Sequence, residues 1–243
     1  MIVATYQPFF APFPGFFAKA LLADVLVLLD TVQFPQRTGW LTRNRFKSEQ
    51  GELWLTIPVR RRGRGLQRID EVRIVREGSW ARKHLLSLKE SYRRAPFFPD
   101  HLPLLESLFA DVPDRLVDLN IPILRHFTER LGCRARVVPL SELGIEAREP
   151  ELSVAICRTL RATAFLTQRP AAKFVSGDLL SAAGVQLLTF AYHPEIHPQL
   201  HGAFIQNLSA LDLLSCCGPR APEVLRGWVR PPAPGQRHAE IRH

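Results

Sequence analysis

MIVATYQPFFAPFPGFFAKALLADVLVLLDTVQF at residues 1–34, with WLTRNRFK at 40–47, is the stretch from which the fold follows. Residues 1–7 read as a buried strand. FFAPFPG at 9–15 is a Pro-punctuated turn, because each proline fixes φ and removes a backbone donor. Phe16 to Ala23 has helical composition. VLVLLD at 25–30 is a continuous apolar run of strand length, the pattern of a strand covered on both faces. Strand, turn, short helix and buried strand form the opening unit of an α/β fold with a mostly parallel sheet flanked by helices.

The pattern continues along the chain. Leu53 to Val59 reads as a strand ended by Pro58 and an arginine run, and Ile69 to Val75 alternates as a half-exposed strand. Ser79 can cap a helix through Trp80, Leu85, Leu88 and Tyr92, ended by Pro96 and Pro99, with Arg82, Lys83, Lys89, Arg93 and Arg94 on its polar face. Asp114 to Leu131 is the clearest amphipathic helix, stopped at Gly132, and Pro122 predicts a kink or break inside it. Cys133–Leu140 and Val185–Tyr192 read as strands, Glu151–Ala162 and Asn207–Cys217 as helices. A single α/β domain over 1–228, with a helical subdomain at 79–131 and a flexible tail at 229–243, is the expected organisation.

With 243 residues, the chain can bury a sizeable core. No apolar run reaches the roughly 18 residues of a membrane span. The N-terminus has no basic segment before its apolar run, so a cytoplasmic location is expected. The four cysteines form no CxxC pair and read as free thiols, with Cys216–Cys217 in an apolar helix. The net charge of +9 points to anionic partners, yet no helix-turn-helix, zinc-finger or aromatic RNA-binding pattern accompanies it. GxGxxG, GxxxxGK[ST] and GxSxG are absent, which excludes an obvious dinucleotide enzyme, P-loop NTPase or α/β-hydrolase.

Polar residues at the ends of apolar runs are the candidate site. Gln7 ends the first strand and Asp30 the second, so both can face one crevice beyond the carboxyl ends of the strands. Asp30 is placed to act as a general base or to bind an amine, and Lys19 is near in sequence. In an extended segment Arg43, Arg45 and Lys47 share one side and Asn44 the other, a cation set suited to a diphosphate. His193, His197 and His201 are four apart, but Pro198 opposes a helical metal site, so no metal is expected. His193, or His84 beside Lys83, is expected to carry protons if a histidine works here.

These motifs resemble the WbqC-like family. The carriers are Tyr6-Gln7-Pro8, Pro14-Gly15-Phe16-Phe17-Ala18-Lys19, Asp24, Asp30-Thr31-Val32-Gln33-Phe34, Trp40 and Arg43-Asn44-Arg45. Trp54 to Val59, Trp80, Lys83-His84-Leu85, Tyr92, Ala95 to Phe98, Tyr192-His193-Pro194, Gln199, Leu208 to Leu214 and Cys217-Gly218-Pro219 follow. Tyr6 stands where the family usually has histidine, and Thr167-Gln168-Arg169-Pro170 where it tends to be Ser-Gly-rich. The resemblance implies a transferase joining an amino acid or amine to a phosphorylated or nucleotide-activated substrate, in polysaccharide or specialised-metabolite biosynthesis. It adds Gln33, Lys83, Tyr92 and Gln199 as substrate contacts and calls for no cofactor. A tRNA-dependent aminoacyl transferase and a non-catalytic nucleotide- or sugar-binding scaffold are the alternatives.

Overall fold

A computed structural model describes residues 1–37 and 39–232. The central sheet has six strands in the order β5-β2-β1-β6-β7-β8. They are β1 (Ile2–Tyr6), β2 (Val25–Leu28), β5 (Arg136–Pro139), β6 (Ala164–Gln168), β7 (Gln186–Tyr192) and β8 (Val229–Arg230). Every pairing is parallel except β7 with β8. The mostly parallel α/β fold read from the sequence is therefore the fold of the chain.

The buried apolar runs explain the layering. Successive residues of a strand point to opposite faces, and both faces here are covered. Ala4, Leu26, Leu28 and Leu166 enter a large core with α1 (Pro14–Leu22), α4 (Leu116–Arg130), α7 (Ala210–Cys217) and α8 (Ala221–Trp228). Their neighbours Val3, Val25, Val27 and Phe165 enter a second core with Leu152 and Ile156 of α5 (Glu151–Thr159) and Leu180 of α6 (Gly177–Ala182). The helical stretch α2 (Trp80–Tyr92), α3 (Leu102–Ala110) and α4 shares the first core.

Several local expectations shift. The strand expected at Leu53–Val59 is β4 (Gly51–Thr56), and it pairs antiparallel with β3 (Arg43–Ser48) in a separate ribbon. Pro58 has no N–H to donate, and the Ile57 N–H goes to the Thr42 carbonyl instead. The strand expected at Ile69–Val75 is a 3-10 turn at Ile69–Glu71, closed by Glu71 accepting from the Arg68 N–H, followed by single bridges. α4 runs through Pro122 without a break, because that proline lies on a half-exposed face where water can take the freed carbonyl. β6 was not read from the sequence. Val229 and Arg230, expected as tail, pair with β7, and residues 233–243 of that tail lie outside the described residues.

Two buried asparagines fix the turn after β1. The Asn120 amide donates to the Pro8 and Leu41 carbonyls, and the Asn44 amide to those of Phe10 and Ala11. Ala11 is held at φ +38°, a strained value for a residue with a Cβ. Asn44→Ala will strand two buried carbonyls and is expected to cost about 2–4 kcal/mol in urea unfolding. A loss below about 1 kcal/mol would show the turn holds itself.

Candidate functional site

The strand order reverses at β1. β2 and β5 lie on one side of it, β6 and β7 on the other. Connections leave such a point in opposite directions and open a crevice beyond the carboxyl ends of the strands. Beside this point, beyond the ends of β1 and β2, lies a cleft of about 760 Å³, large enough for a nucleotide-sized ligand. Gln7 reaches it from the end of β1, and Leu29, Thr31, Val32 and Gln33 from the segment after β2. Gln67 and Arg68 come from the loop before the 3-10 turn, and Glu146, Arg148, Glu149 and Leu152 from the segment entering α5. Amides, two guanidinium groups and two carboxylates thus face an apolar floor.

Asp30 lies beneath this wall, 3% exposed. One of its carboxylate oxygens accepts from the Ser141 N–H at 2.9 Å and the other from the Ser141 hydroxyl at 2.6 Å. The pair ties the segment after β2 to the segment after β5. Arg68 holds Asp70 through Nε at 3.0 Å and Nη2 at 2.6 Å. Glu149 accepts from the Ser153 hydroxyl at 2.6 Å.

Lys19 occupies the reversal itself. β1 and β6 stay paired only as far as Ala4 and Leu166. Just past that pair, the Thr5 carbonyl accepts from Lys19 Nζ at 2.8 Å, and the ammonium sits 4.3 Å from the centre of the Tyr6 ring. Burial pulls the Lys19 pKa down to about 8, and burial pushes the Tyr6 phenol up to about 12.

The structure separates the residues expected to converge. Gln7 and Gln33 line the cleft, with Asp30 behind them. Arg43, Asn44, Arg45 and Lys47 form β3 of the ribbon and do not line it. Arg43 lies over the exposed Trp54, its guanidinium 4.0 Å from the ring centre. Arg45 pairs with Glu52 and donates to the Gln206 and Asn207 carbonyls. Lys47 is 0% exposed and donates to Gln199 Oε1 and the Ala203 carbonyl.

Lys47, Tyr92 and Gln199 belong instead to a second, buried polar assembly. The Tyr92 hydroxyl accepts from the Lys47 N–H at 3.0 Å and donates to Asp212 Oδ1 at 3.2 Å. Asp212 Oδ2 lies 3.1 Å from His197 Nε2. Burial, with Asp212 beside it, holds the Tyr92 phenol protonated. Gln199 also bonds the Ile205 N–H and carbonyl, closing the His-rich loop. His193 is exposed. His84 packs on Trp80 and Phe109, and burial lowers its pKa to about 4. Lys83 is exposed on α2.

Sequence reading missed Arg68, Arg148 and Asp212, and it singled out His193 rather than His197 from the His-rich loop. Asp212 had a signal: a lone carboxylate inside ALDLLSCC is buried at a cost that requires a partner. The two arginines are in loops, where no periodicity points at them. Among the described residues no group of three or more His, Cys, Asp or Glu could hold a metal, and no helix is long and apolar enough to cross a membrane.

A family model described as the WbqC-like protein family matches residues 7–224, which spans both polar assemblies. The chain belongs to the WbqC-like family. It is similar to an uncharacterized protein of Mycobacterium tuberculosis (strain ATCC 25618 / H37Rv), Rv1507c, with 28% identity over 226 residues, covering 92% of this chain and 97% of that one. No solved structure matches the chain. The WbqC-like match begins at Gln7, the residue with which β1 enters the cleft.

Proposed function

We propose that the chain is a transferase that joins an amine or amino acid to a phosphorylated or nucleotide-activated small molecule in the cleft at the end of β1 and β2. The observation that carries this reading is a cleft beyond the ends of β1 and β2, beside the strand-order reversal, lined by both cations and carboxylates. Arg148 and Arg68 take the phosphate groups, for which a guanidinium offers paired donors. Glu146 and Glu149 receive the amine, and Gln7, Gln33 and Gln67 orient the two partners. The amine nitrogen bonds to the carbon that bears the phosphate oxygen, the C–O bond breaks, and the phosphate or diphosphate leaves with its electron pair. The amine proton passes to a carboxylate. Lys19, whose pKa burial lowers to about 8, is bonded to the Thr5 carbonyl near the end of β1 and does not line the cleft. Phosphate contact shifts from Lys47 and Arg45 to Arg148 and Arg68 because only the latter two line the cleft, Arg148 being the principal contact since Arg68 already holds Asp70. The biosynthetic setting follows from the family resemblance.

Calorimetric titration with uridine diphosphate and with inorganic diphosphate tests the anion subsite. Arg148→Ala is expected to weaken binding at least about tenfold, or about 1.4 kcal/mol. Release of nucleoside diphosphate from nucleoside-diphosphate sugars should occur only when mixed amino acids are also present. Binding without release would favour the scaffold reading, and no binding of either probe would end both.

One observation favours the RNA-dependent reading. Trp40 and Trp54 are stacked, with ring centres 6.0 Å apart, and each is about two-fifths exposed beside Arg43. An aromatic platform next to a cation suits a nucleobase. Activity lost steeply with salt and abolished by RNase would support that donor.

A further inference from the structure

Buried polar atoms need partners, and orphans that cluster mark a missing one. Eight buried side-chain polar atoms have no partner among the described residues. Three of them, His197 Nδ1, Asn207 Oδ1 and the Tyr192 hydroxyl, belong to residues that line one cavity of about 10 Å³. Its walls come from the N-terminus of α1 at Pro14, the end of β7 at Tyr192, the loop at 204–209 and the first turn of α7. That volume matches a single water-sized occupant, and the polar lining is what keeps such an occupant.

The hydrogen-bond inventory narrows what the occupant can be. His197 is 9% exposed, and its Nε2 faces the Asp212 carboxylate, which can only accept. Nε2 therefore carries a proton toward the carboxylate, which fixes the ring orientation. In the neutral imidazole Nδ1 then offers a lone pair to the cavity. Asn207 Oδ1 offers another, and the Tyr192 hydroxyl can donate or accept. Burial raises the Tyr192 phenol against a smaller opposing pull from the nearby Gly15 N–H, so it stays protonated; that N–H is too poorly placed to count as a full hydrogen bond, which leaves the hydroxyl's proton for the cavity. Asn207 is itself held at φ +57°, a left-handed value that asparagine tolerates better than most residues.

We propose that this cavity is a built site for one small hydrogen-bond donor, a water molecule or an ammonium ion, bonded to His197 Nδ1, Asn207 Oδ1 and the Tyr192 hydroxyl. The occupant extends the chain Lys47 N–H, Tyr92, Asp212, His197 to the end of β7. It gives His197 a fixed proton-bearing neighbour at the carboxyl edge of the sheet, two strands from β1 or about 10 Å along the sheet. The site is separate from the cleft, and its existence does not depend on the transferase reading.

Crystal structures of the full chain at neutral pH, grown once from sodium chloride and once from ammonium chloride, test it. One ordered atom within hydrogen-bond distance of all three polar atoms is expected in both. A saturable rise in Tm with ammonium but not sodium, lost in His197→Leu and independently in Asn207→Leu, identifies the ion. The same density with no ammonium-dependent rise identifies water. An empty cavity, or an Asn207 amide turned to donate directly to His197 Nδ1, overturns the proposal. The wild-type structures decide this even if both variants fold poorly.

Discussion

Gly218→Ala will destabilise the protein by about 3–5 kcal/mol. Gly218 follows α7 with φ +50° and ψ −123°, a combination that residues with a Cβ rarely adopt. Forcing such a conformation costs about 1–3 kcal/mol. A Cβ built there would also sit 2.3 Å from Cγ of Phe97 and 2.5 Å from both Cδ atoms. Those atoms are the root of the ring, so the side chain cannot simply swing away. The Phe97 N–H is bonded to the Ser215 carbonyl of α7, which keeps the backbone from retreating. Overpacking of this kind adds about 1–3 kcal/mol. Urea unfolding gives the total, and repeating it in a Phe97→Ala background separates the parts. There the steric share should vanish and the backbone share remain. A loss below about 1 kcal/mol in the wild-type background would mean that the α7–Phe97 junction yields freely. The junction matters for function because α7 carries Asp212.

The layers of this fold were legible because parallel strands buried on both faces leave uninterrupted apolar runs. VLVLLD needs no periodicity argument: nothing but a covered strand suits it at that length. β6 escaped because Ala164 to Gln168 is short, follows a helix that ends only at Thr159, and holds threonine and glutamine. The Ile69–Val75 segment misled because buried residues at 69, 72 and 74 mimic alternation over part of their length. For the site, Gln7 and Asp30 were legible as polar ends of strands. Strand ends are fixed by the sheet, and the sheet was readable. Arg43 to Lys47 also alternate as read, yet alternation gives only the side of a ribbon. It does not say what covers that side. The loop at 199–207 folds over Lys47 and Arg45 and turns both inward to carbonyls. Loop closure of that sort depends on contacts more than 150 residues apart in sequence. No local pattern carries them.

Between pH 6.5 and about 4 the chain will lose stability, and His101 will account for the largest share of the loss. His101 precedes α3 and is 3% exposed. Its Nδ1 lies 2.9 Å from His126 Nε2 on α4. Burial is the main reason its pKa falls to about 4, with His126 and Arg130 pushing the same way and Asp100 and the Leu214 backbone opposing. Burial, then Arg130, also lowers His126 against a smaller pull from Glu129. At neutral pH both the folded and the unfolded chain hold a neutral imidazole here, so the residue contributes nothing either way. Below pH 6.5 the unfolded chain takes up the proton and the folded one does not. Stability therefore falls with pH until the folded state protonates near pH 4. A gap from 6.5 to about 4 corresponds to ~3 kcal/mol for this one buried group. His84 adds in the same direction, discounted because it is only half-buried. Acid also raises net repulsion in a chain already at +9, which affects any variant equally. The difference between wild type and His101→Gln isolates the imidazole. Glutamine can still bond His126 but does not titrate. The variant should show a shallower fall of unfolding free energy from neutral pH to pH ~4.5, by roughly 2 kcal/mol. Parallel curves would remove His101 from the account and leave acid lability to His84, His126 and the surface charges.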